Sequence, residues 1–172
     1  MHGDVVGWVA DASNGGLVRA FLWDAQMGMR PIFNDATIES AAYAINDDGI
    51  VVGYCRCGSK NYAIFVHDLK TSSTKLFSLS GPGARQTPRV AYSVNQSGQV
   101  VGESNGKAVL ISGGKILDLN GSVTNNPGWS LRIAYDINDA GQIAGFGITS
   151  TGEARAFLLT PVQSPNKQRS VK

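Results

Sequence analysis

Short apolar segments alternate along this chain with clusters of Gly, Asn, Asp and Ser. The segments are four to six residues long and rich in Val, Ile, Phe and Tyr. Segments of this length and composition, separated by turn-forming residues, predict β-strands joined by tight turns. No stretch keeps a sustained helical period, so we expect an all-β protein.

One phrase recurs along the chain. Its form is Ala-Tyr-x-Ile-Asn-x-x-Gly-x-Val-Val-Gly, with minor changes, at residues 42–53, 91–102 and 134–145, and its second half opens the chain at residues 3–7. The turn glycines of the four copies are spaced by 46, 49 and 43 residues. This period is typical of the blades of a β-propeller.

Each full repeat contains four apolar segments, which we name strands A to D. Strand A is Ala-Tyr-x-Ile-Asn, strand B is x-Val-Val-Gly-x, strand C resembles Ala-Phe-Leu-Trp and strand D resembles Ile-Leu-Asp-Leu. We therefore predict a β-propeller-like array of about four repeats of four-stranded antiparallel meanders. The first repeat lacks strand A and the fourth lacks strand D, so the prediction is 14 strands grouped 3, 4, 4 and 3.

The predicted domain covers residues 1–162, and its boundaries follow the repeats. The repeats are 3–40, 41–90, 91–133 and 134–162. Residues 163–172 are basic and poor in apolar side chains, so we expect a disordered tail. Either the repeats close imperfectly into a small ring, or the array is open. An open array exposes unpaired strand edges, which favours a homodimer or larger assembly.

The link between strands A and B carries the sharpest local signal. The Asn of Asn-x-x-Gly is expected to accept a bond from the backbone two residues on, and the Gly to adopt a left-handed conformation. The second glycine lies inside strand B, where it marks a bulge or the close approach of another backbone. We expect that backbone to belong to the next repeat.

The composition limits the kinds of ligand and partner that we expect. The chain has 172 residues and a net charge of +2, which does not favour nucleic-acid binding. Cys55 and Cys57 are expected to be free thiols, because a Cys-x-Cys disulfide closes a small ring. With only His2 and His67 available, we expect no zinc site, and we expect no other metal or cofactor.

No apolar run reaches the ~20 residues of a membrane span. The chain enters a repeat at once, without a signal peptide. We therefore expect either a cytoplasmic protein or a leader and earlier repeats that lie outside this sequence.

The two recurring phrases together resemble the HAF family of bacterial extracellular repeats, over about residues 3–160. The His-Ala-Phe triplet of that family becomes Arg-Ala-Phe at residues 19–21 and 155–157 here. The resemblance implies a tandem β-repeat fold at the cell surface or outside the cell. It implies no particular reaction.

The long connections between strands D and A are the best candidates for ligand binding, because loops on a rigid scaffold often carry function. Trp129, with Asn126 and Arg132, has the chemistry to hold a sugar ring and its hydroxyls. Arg85 and Arg89, one repeat earlier, have the chemistry to hold carboxylates or phosphates. The alternatives are a Trp packed into the core and a solvated loop.

Other polar groups have structural explanations that we favour. Residues 47–49 and 138–139 offer oxygen ligands for calcium, but turn chemistry accounts for them without a metal. Asp35 and Glu39 are a candidate glycosidase pair only if they converge in space.

The remaining aromatic residues also have structural explanations. Trp8 and Trp23 are expected to pack in the core. Tyr43, Tyr92 and Tyr135 recur at one repeat position, which favours a structural role.

These observations favour a non-catalytic extracellular binding module for a glycan or a protein. The first alternative is a hydrolase acting on a saccharide or an ester, with its site on the same loops. The second is a structural array that assembles through its strand edges.

Overall fold

A computed structural model describes residues 3–57, 62–79, 89–124 and 126–162. Over these residues the fold is all-β, with two short 3-10 turns at Ala12–Asn14 and Leu119–Gly121. In chain order the strands are β1 (Val5–Asp11), β2 (Leu17–Asp24), β3 (Gly28–Pro31), β4 (Ser40–Ile45), β5 (Ile50–Cys55), β6 (Ala63–Asp68), β7 (Ser73–Phe77), β8 (Arg89–Val94), β9 (Val100–Ser104), β10 (Lys107–Ser112), β11 (Lys115–Asp118), β12 (Ser130–Ile137), β13 (Ile143–Ile148) and β14 (Ala154–Leu159).

The described strands form four antiparallel sheets, one for each repeat. Their orders are β1-β2-β3, β4-β5-β6-β7, β8-β9-β10-β11 and β12-β13-β14. The prediction of an all-β chain with strands grouped 3, 4, 4 and 3 is therefore confirmed. Strand A is β4, β8 or β12, and strand B is β1, β5, β9 or β13.

The core lies between consecutive sheets. Ala20 of the first sheet packs in one cluster with Val51 and Phe65 of the second. Val52 packs in the next cluster, with Val100 of the third sheet. Because successive strand side chains point to opposite faces, the Val-Val pair of strand B supplies one residue to each neighbouring interface.

The Asn of each A–B turn bonds the backbone four residues on, so the predicted bond to the second residue is wrong. The Oδ1 atoms of Asn46, Asn95 and Asn138 accept the backbone amides of Ile50, Gln99 and Gln142, each at 2.9 Å. The turn glycines adopt φ of +80°, +72° and +75°, as predicted. The longer reach arises because the Asn closes the whole loop onto the residue that begins strand B or immediately precedes it.

The same asparagines join consecutive repeats. The Nδ2 of Asn46 donates to the backbone carbonyl of Asn95 at 2.9 Å, and the Nδ2 of Asn95 donates to that of Asn138 at 3.1 Å. Asn46 and Asn95 are 7% and 3% exposed. We call these contacts the asparagine ladder. Buried amides satisfied in this way set the register of one sheet on the next.

The second glycine lies opposite a β-bulge in strand A. The pairings Ala42 with Gly53 and Ala44 with Val52 leave Tyr43 without a partner, and the same shift occurs at Tyr92 and Tyr135. A Cβ on this glycine would lie 1.9–2.2 Å from a strand-A carbonyl in all three sheets. The bulge interpretation is confirmed, but the close backbone belongs to the same sheet and not to the next repeat.

Two expectations about side chains are wrong. Cys55 and Cys57 form a disulfide, because β5 ends at Cys55 and the chain then brings the two Cα atoms to 5.3 Å. Trp8 and Trp23 are 53% and 40% exposed. Trp8 lies on the strand at one edge of the sheet although its partner Ala20 is buried, and Trp23 lies on the opposite face from Trp8. The predicted tail at 163–172 lies outside the described residues.

Replacing Gly102 should destabilise the fold strongly. In Gly102→Ala the new Cβ would lie 2.0 Å from the Val90 carbonyl oxygen, so the strand pair must separate. We expect a loss of about 3 kcal/mol in the free energy of unfolding, measured by urea denaturation. Gly121→Ala is the control, since nothing lies within 4 Å of its Cβ position, and it should change stability by less than about 0.5 kcal/mol.

Removing one rung of the asparagine ladder should also weaken the fold. Asn95→Ala loses the bonds to the Gln99 amide and the Asn138 carbonyl and leaves both less satisfied. We expect a loss of about 2 kcal/mol by thermal or urea denaturation. The exposed Asn14, which donates to the Ala36 carbonyl, is the matched control, and Asn14→Ala should cost about 0.5 kcal/mol. Equal effects of the two substitutions would contradict a special role for the ladder.

Candidate functional site

The bulged tyrosines form a row across three sheets. Each of these tyrosines lies at the bulge of its strand A, which is the edge strand of its sheet, and has no partner in the neighbouring strand. The ring centroids of Tyr43 and Tyr92 are 5.6 Å apart, and those of Tyr92 and Tyr135 are 5.4 Å apart. Tyr43 and Tyr135 are 45% and 50% exposed. A residue type expected to be structural therefore also forms an exposed surface.

Two further tyrosines extend the row at the second sheet. Tyr54 of β5 lies 6.4 Å from Tyr43, and Tyr62, just before β6, lies 5.6 Å from Tyr54. We call the five rings of Tyr62, Tyr54, Tyr43, Tyr92 and Tyr135 the tyrosine row. It begins among the B–C and D–A connections, which we call the loop face, and continues along the strand-A edges of the second, third and fourth sheets.

Charged groups surround the loop-face end of the row. The Tyr62 hydroxyl donates to Glu39 Oε1 at 3.0 Å, and Arg56 forms an ion pair with Glu39 at 3.3 Å. The Arg56 guanidinium also lies 4.8 Å from the centre of the Tyr62 ring, in cation–π geometry. This end of the row therefore presents hydroxyl, carboxylate and guanidinium groups beside aromatic carbon.

The rings in the middle of the row are uncharged at neutral pH. Burial, followed by the negative charge of Glu39, raises the pKa of Tyr54 to about 12. Burial, followed by the charge of Glu103, raises the pKa of Tyr92 to about 12. Their hydroxyl groups therefore stay protonated at neutral pH and can donate hydrogen bonds.

Glu103 is the acid beside the middle of the row. It follows the second glycine of strand B, where the other repeats carry Trp8, Tyr54 and Phe146. Its side chain is half-buried, and burial raises the pKa of its carboxyl group above 4.5. A partly desolvated carboxylate in an otherwise aromatic repeat position is typical of a binding surface with a few placed polar groups.

Trp129, Asn126 and Arg132 were predicted to hold a sugar together, but in the structure the first two mainly stabilise their own loop. Trp129 is partly buried and packs against the core between the third and fourth sheets. Asn126 closes the loop, accepting the Trp129 amide at 2.7 Å and donating to its carbonyl at 3.0 Å. Arg132 is exposed and donates to the Gly106 carbonyl at 3.3 Å. Of these three side chains, Arg132 is the most available to a ligand.

Of the two arginines predicted to bind an anion, Arg85 and Arg89, the described residues include Arg89 alone. Arg89 is 5% exposed and donates to the Tyr62 carbonyl at 2.8 Å, so it joins the second and third repeats. Its position at the start of β8, beneath the neighbouring sheet, encloses the guanidinium. Arg85 lies outside the described residues.

The candidate acidic sites have separate partners. Asp35 accepts the amide and hydroxyl of Thr37, which lowers its pKa, whereas Glu39 pairs with Arg56 and Tyr62. Asp48 pairs with Lys70 at 2.9 Å. Within the part of the chain that the structure describes, no three His, Cys, Asp or Glu side chains are grouped to hold a metal ion.

The sequence did not predict the tyrosine row, because the recurrence of one tyrosine in each repeat was taken to indicate a structural role. The three strand-A tyrosines have the same position in every repeat, and each follows a buried alanine, Ala42, Ala91 or Ala134. The bulge opposite the strand-B glycine then turns the tyrosine out of the strand pairing. That pattern was available in the sequence, but the spacing of the rings was not.

The burial of Glu103 makes stability depend on pH. Because the folded state raises the carboxyl pKa, the protein is relatively more stable below pH 4.5 and loses this contribution as the pH rises. Glu103→Gln should therefore raise the melting temperature at neutral pH and change it little in acid. The exposed Glu153 supplies the control, and Glu153→Gln should not show this pH-dependent gain. A Glu103→Gln effect of the same size in acid would contradict a desolvated carboxylate.

Among the described residues, no helix has the length and apolar character needed to cross a membrane. No curated protein matches the chain significantly. Residues 8–116 match the model of a family described as "Protein of unknown function (DUF3466)". The match runs from β1 to β11 and includes every tyrosine of the tyrosine row except Tyr135. Because it covers more than half of the 172 residues, this chain belongs to the DUF3466 family.

Proposed function

We propose that this protein is a non-catalytic extracellular binding module and that its tyrosine row binds an elongated glycan. The observation that carries the proposal is the contiguous row of five rings, exposed at Tyr43 and Tyr135. Tyrosine offers an apolar face for the C–H groups of a sugar and a hydroxyl for its polar edge.

The spacing of the row supports an elongated ligand. Successive strand-A rings lie 5.6 and 5.4 Å apart, which is comparable to the width of one sugar ring. The ring planes are inclined by 68° and 54°, so the row presents successive separate surfaces and not one flat platform. Glu39, Arg56 and Glu103 would select sugars through their hydroxyls or charged groups.

The proposed architecture is a β-propeller-like array with strand A innermost. Consecutive sheets pack face to face, and their A strands are joined by the asparagine ladder. In such an array the tyrosine row faces the axis, and its loop-face end opens among the D–A connections. Arg132, exposed near the start of β12, would be a secondary contact close to that face.

The cell exterior is the proposed location. The resemblance to HAF repeats supports it, and so does the Cys55–Cys57 disulfide, since disulfides persist mainly in oxidising compartments. The low charge and high glycine content suit a secreted β-rich protein.

The proposal is tested by screening the wild type on a glycan array and titrating the best glycan by calorimetry. Tyr135→Ala should weaken binding about tenfold, because truncating an exposed aromatic contact of the row should cost about 1.4 kcal/mol. Tyr135→Phe should retain most of the affinity if the ring face is the main contact. Leu158→Ala is the control, since this exposed side chain lies on β14, outside the row.

Two outcomes would reject the glycan assignment. One is the absence of any bound glycan on a broad array. The other is equal weakening by Tyr135→Ala and Leu158→Ala. Thermal denaturation of each variant separates lost binding from lost folding.

A further inference from the structure

Glu103 is an acid beside the tyrosine row that has no cation paired with it. Glu39, the acid at the loop-face end of the row, forms an ion pair with Arg56 at 3.3 Å. None of the ion pairs among the described residues includes Glu103. The protein therefore balances the carboxylate at the loop-face end of the row and leaves the one beside its middle unbalanced.

The position of Glu103 on β9 places its side chain toward the fourth sheet. Val101, two residues earlier on β9, packs in one cluster with Ala134 of β12. Since side chains two positions apart lie on the same face of a strand, Glu103 lies on the side of β9 that faces β12. Its charge acts on Tyr92, and the Tyr92 ring lies 5.4 Å from that of Tyr135. One carboxylate and two rings therefore share this part of the row.

A second carboxylate lies at the same end of the row. Asp136, which follows Tyr135, is exposed and accepts the Ser93 hydroxyl at 2.7 Å. It too is outside every ion pair of the described residues. Arg132, the cation on the same strand, donates to the Gly106 carbonyl at 3.3 Å. The part of the row at the third and fourth sheets is therefore acidic.

The charge of Glu103 costs stability in the free protein. Its side chain is half-buried, and burial raises the pKa of its carboxyl group. A partly desolvated charge without a partner is unfavourable. The other repeats carry Trp8, Tyr54 and Phe146 at this position, so the scaffold accepts an apolar side chain there. A charge at a position that accepts an apolar residue indicates a functional group whose partner is a ligand.

We propose that the glycan bound by the tyrosine row carries free amino groups, and that Glu103 determines this preference by binding a protonated amine. The preference rests on the row being the glycan site. The ammonium group would lie against Tyr92 and Tyr135, because the faces of aromatic rings attract cations, and Glu103 would be its counter-ion. The sugar carbons would contact the same rings, and Asp136 would accept a neighbouring amine or hydroxyl.

Two hexasaccharides with the same backbone separate amine recognition from general sugar binding. The hexamers of glucosamine and of N-acetylglucosamine are titrated into the full chain by calorimetry. The measurement is made at about pH 6, where amines are protonated and carboxyl groups are largely ionised. The glucosamine hexamer should bind about tenfold more tightly, because it alone makes a charge-assisted contact with the partly desolvated carboxylate.

Glu103→Gln should remove this preference. The affinity for the glucosamine hexamer should fall about tenfold, and the affinity for the acetylated hexamer should change less than about twofold. The variant loses a desolvated charge and should fold, which thermal denaturation verifies. Glu153→Gln is the matched control, because Glu153 is exposed, lies outside the row and already pairs with Arg155 at 3.1 Å. It should change neither affinity.

Three results would overturn the amine preference. They are equal or tighter binding of the acetylated hexamer, equal weakening of both hexamers by Glu103→Gln, and binding of a pentalysine peptide as tight as that of the glucosamine hexamer. Failure of both hexamers, while another glycan binds through Tyr135, would also overturn it and leave the proposed function standing. If no glycan on the array binds, the proposed function fails and the preference fails with it.

Discussion

The close approach of a strand-A carbonyl to a glycine in strand B is the contact on which the rest of the structure depends. At Gly53, Gly102 and Gly145 no side chain fits, because a backbone oxygen occupies the space of the Cβ. The opposing strand can then take in one extra residue and bulge. The bulge changes the direction of the tyrosine without interrupting the sheet, so one small residue in strand B decides where an aromatic residue of strand A points.

The other repeated features stabilise that arrangement. The Phe rings of strand C, Phe65 and Phe157, cover the glycine from the other side, which replaces the apolar contact that a side chain would have made. The asparagines hold the A–B turns and connect one strand A to the next. Because every repeat uses the same contacts, the bulged tyrosines are brought to a regular spacing. A row of aromatic side chains is thus a product of the scaffold, and it is available for binding at little additional strain.

Function in such an array depends on the positions that differ among repeats. Glu103 replaces an aromatic residue, and Arg56 and Glu39 add charge at one end of the tyrosine row. The first sheet differs in another way, since its strand B carries the same glycine, covered by Phe21, but pairs among the described residues with β2 alone. The repeated contacts therefore build the scaffold, and these exceptions give each sheet a surface chemistry of its own.

The sequence by itself determined the strand count, the grouping of strands into four sheets and the turn glycines, because these depend on local periodicity and backbone conformation. It also indicated a bulge at the second glycine. Only the tertiary structure decided that Arg89 is enclosed, that Trp8 is exposed and that Cys55 is close enough to Cys57 to bond. Burial and side-chain distance depend on how one sheet packs on the next, and a pattern read within single repeats does not contain that information.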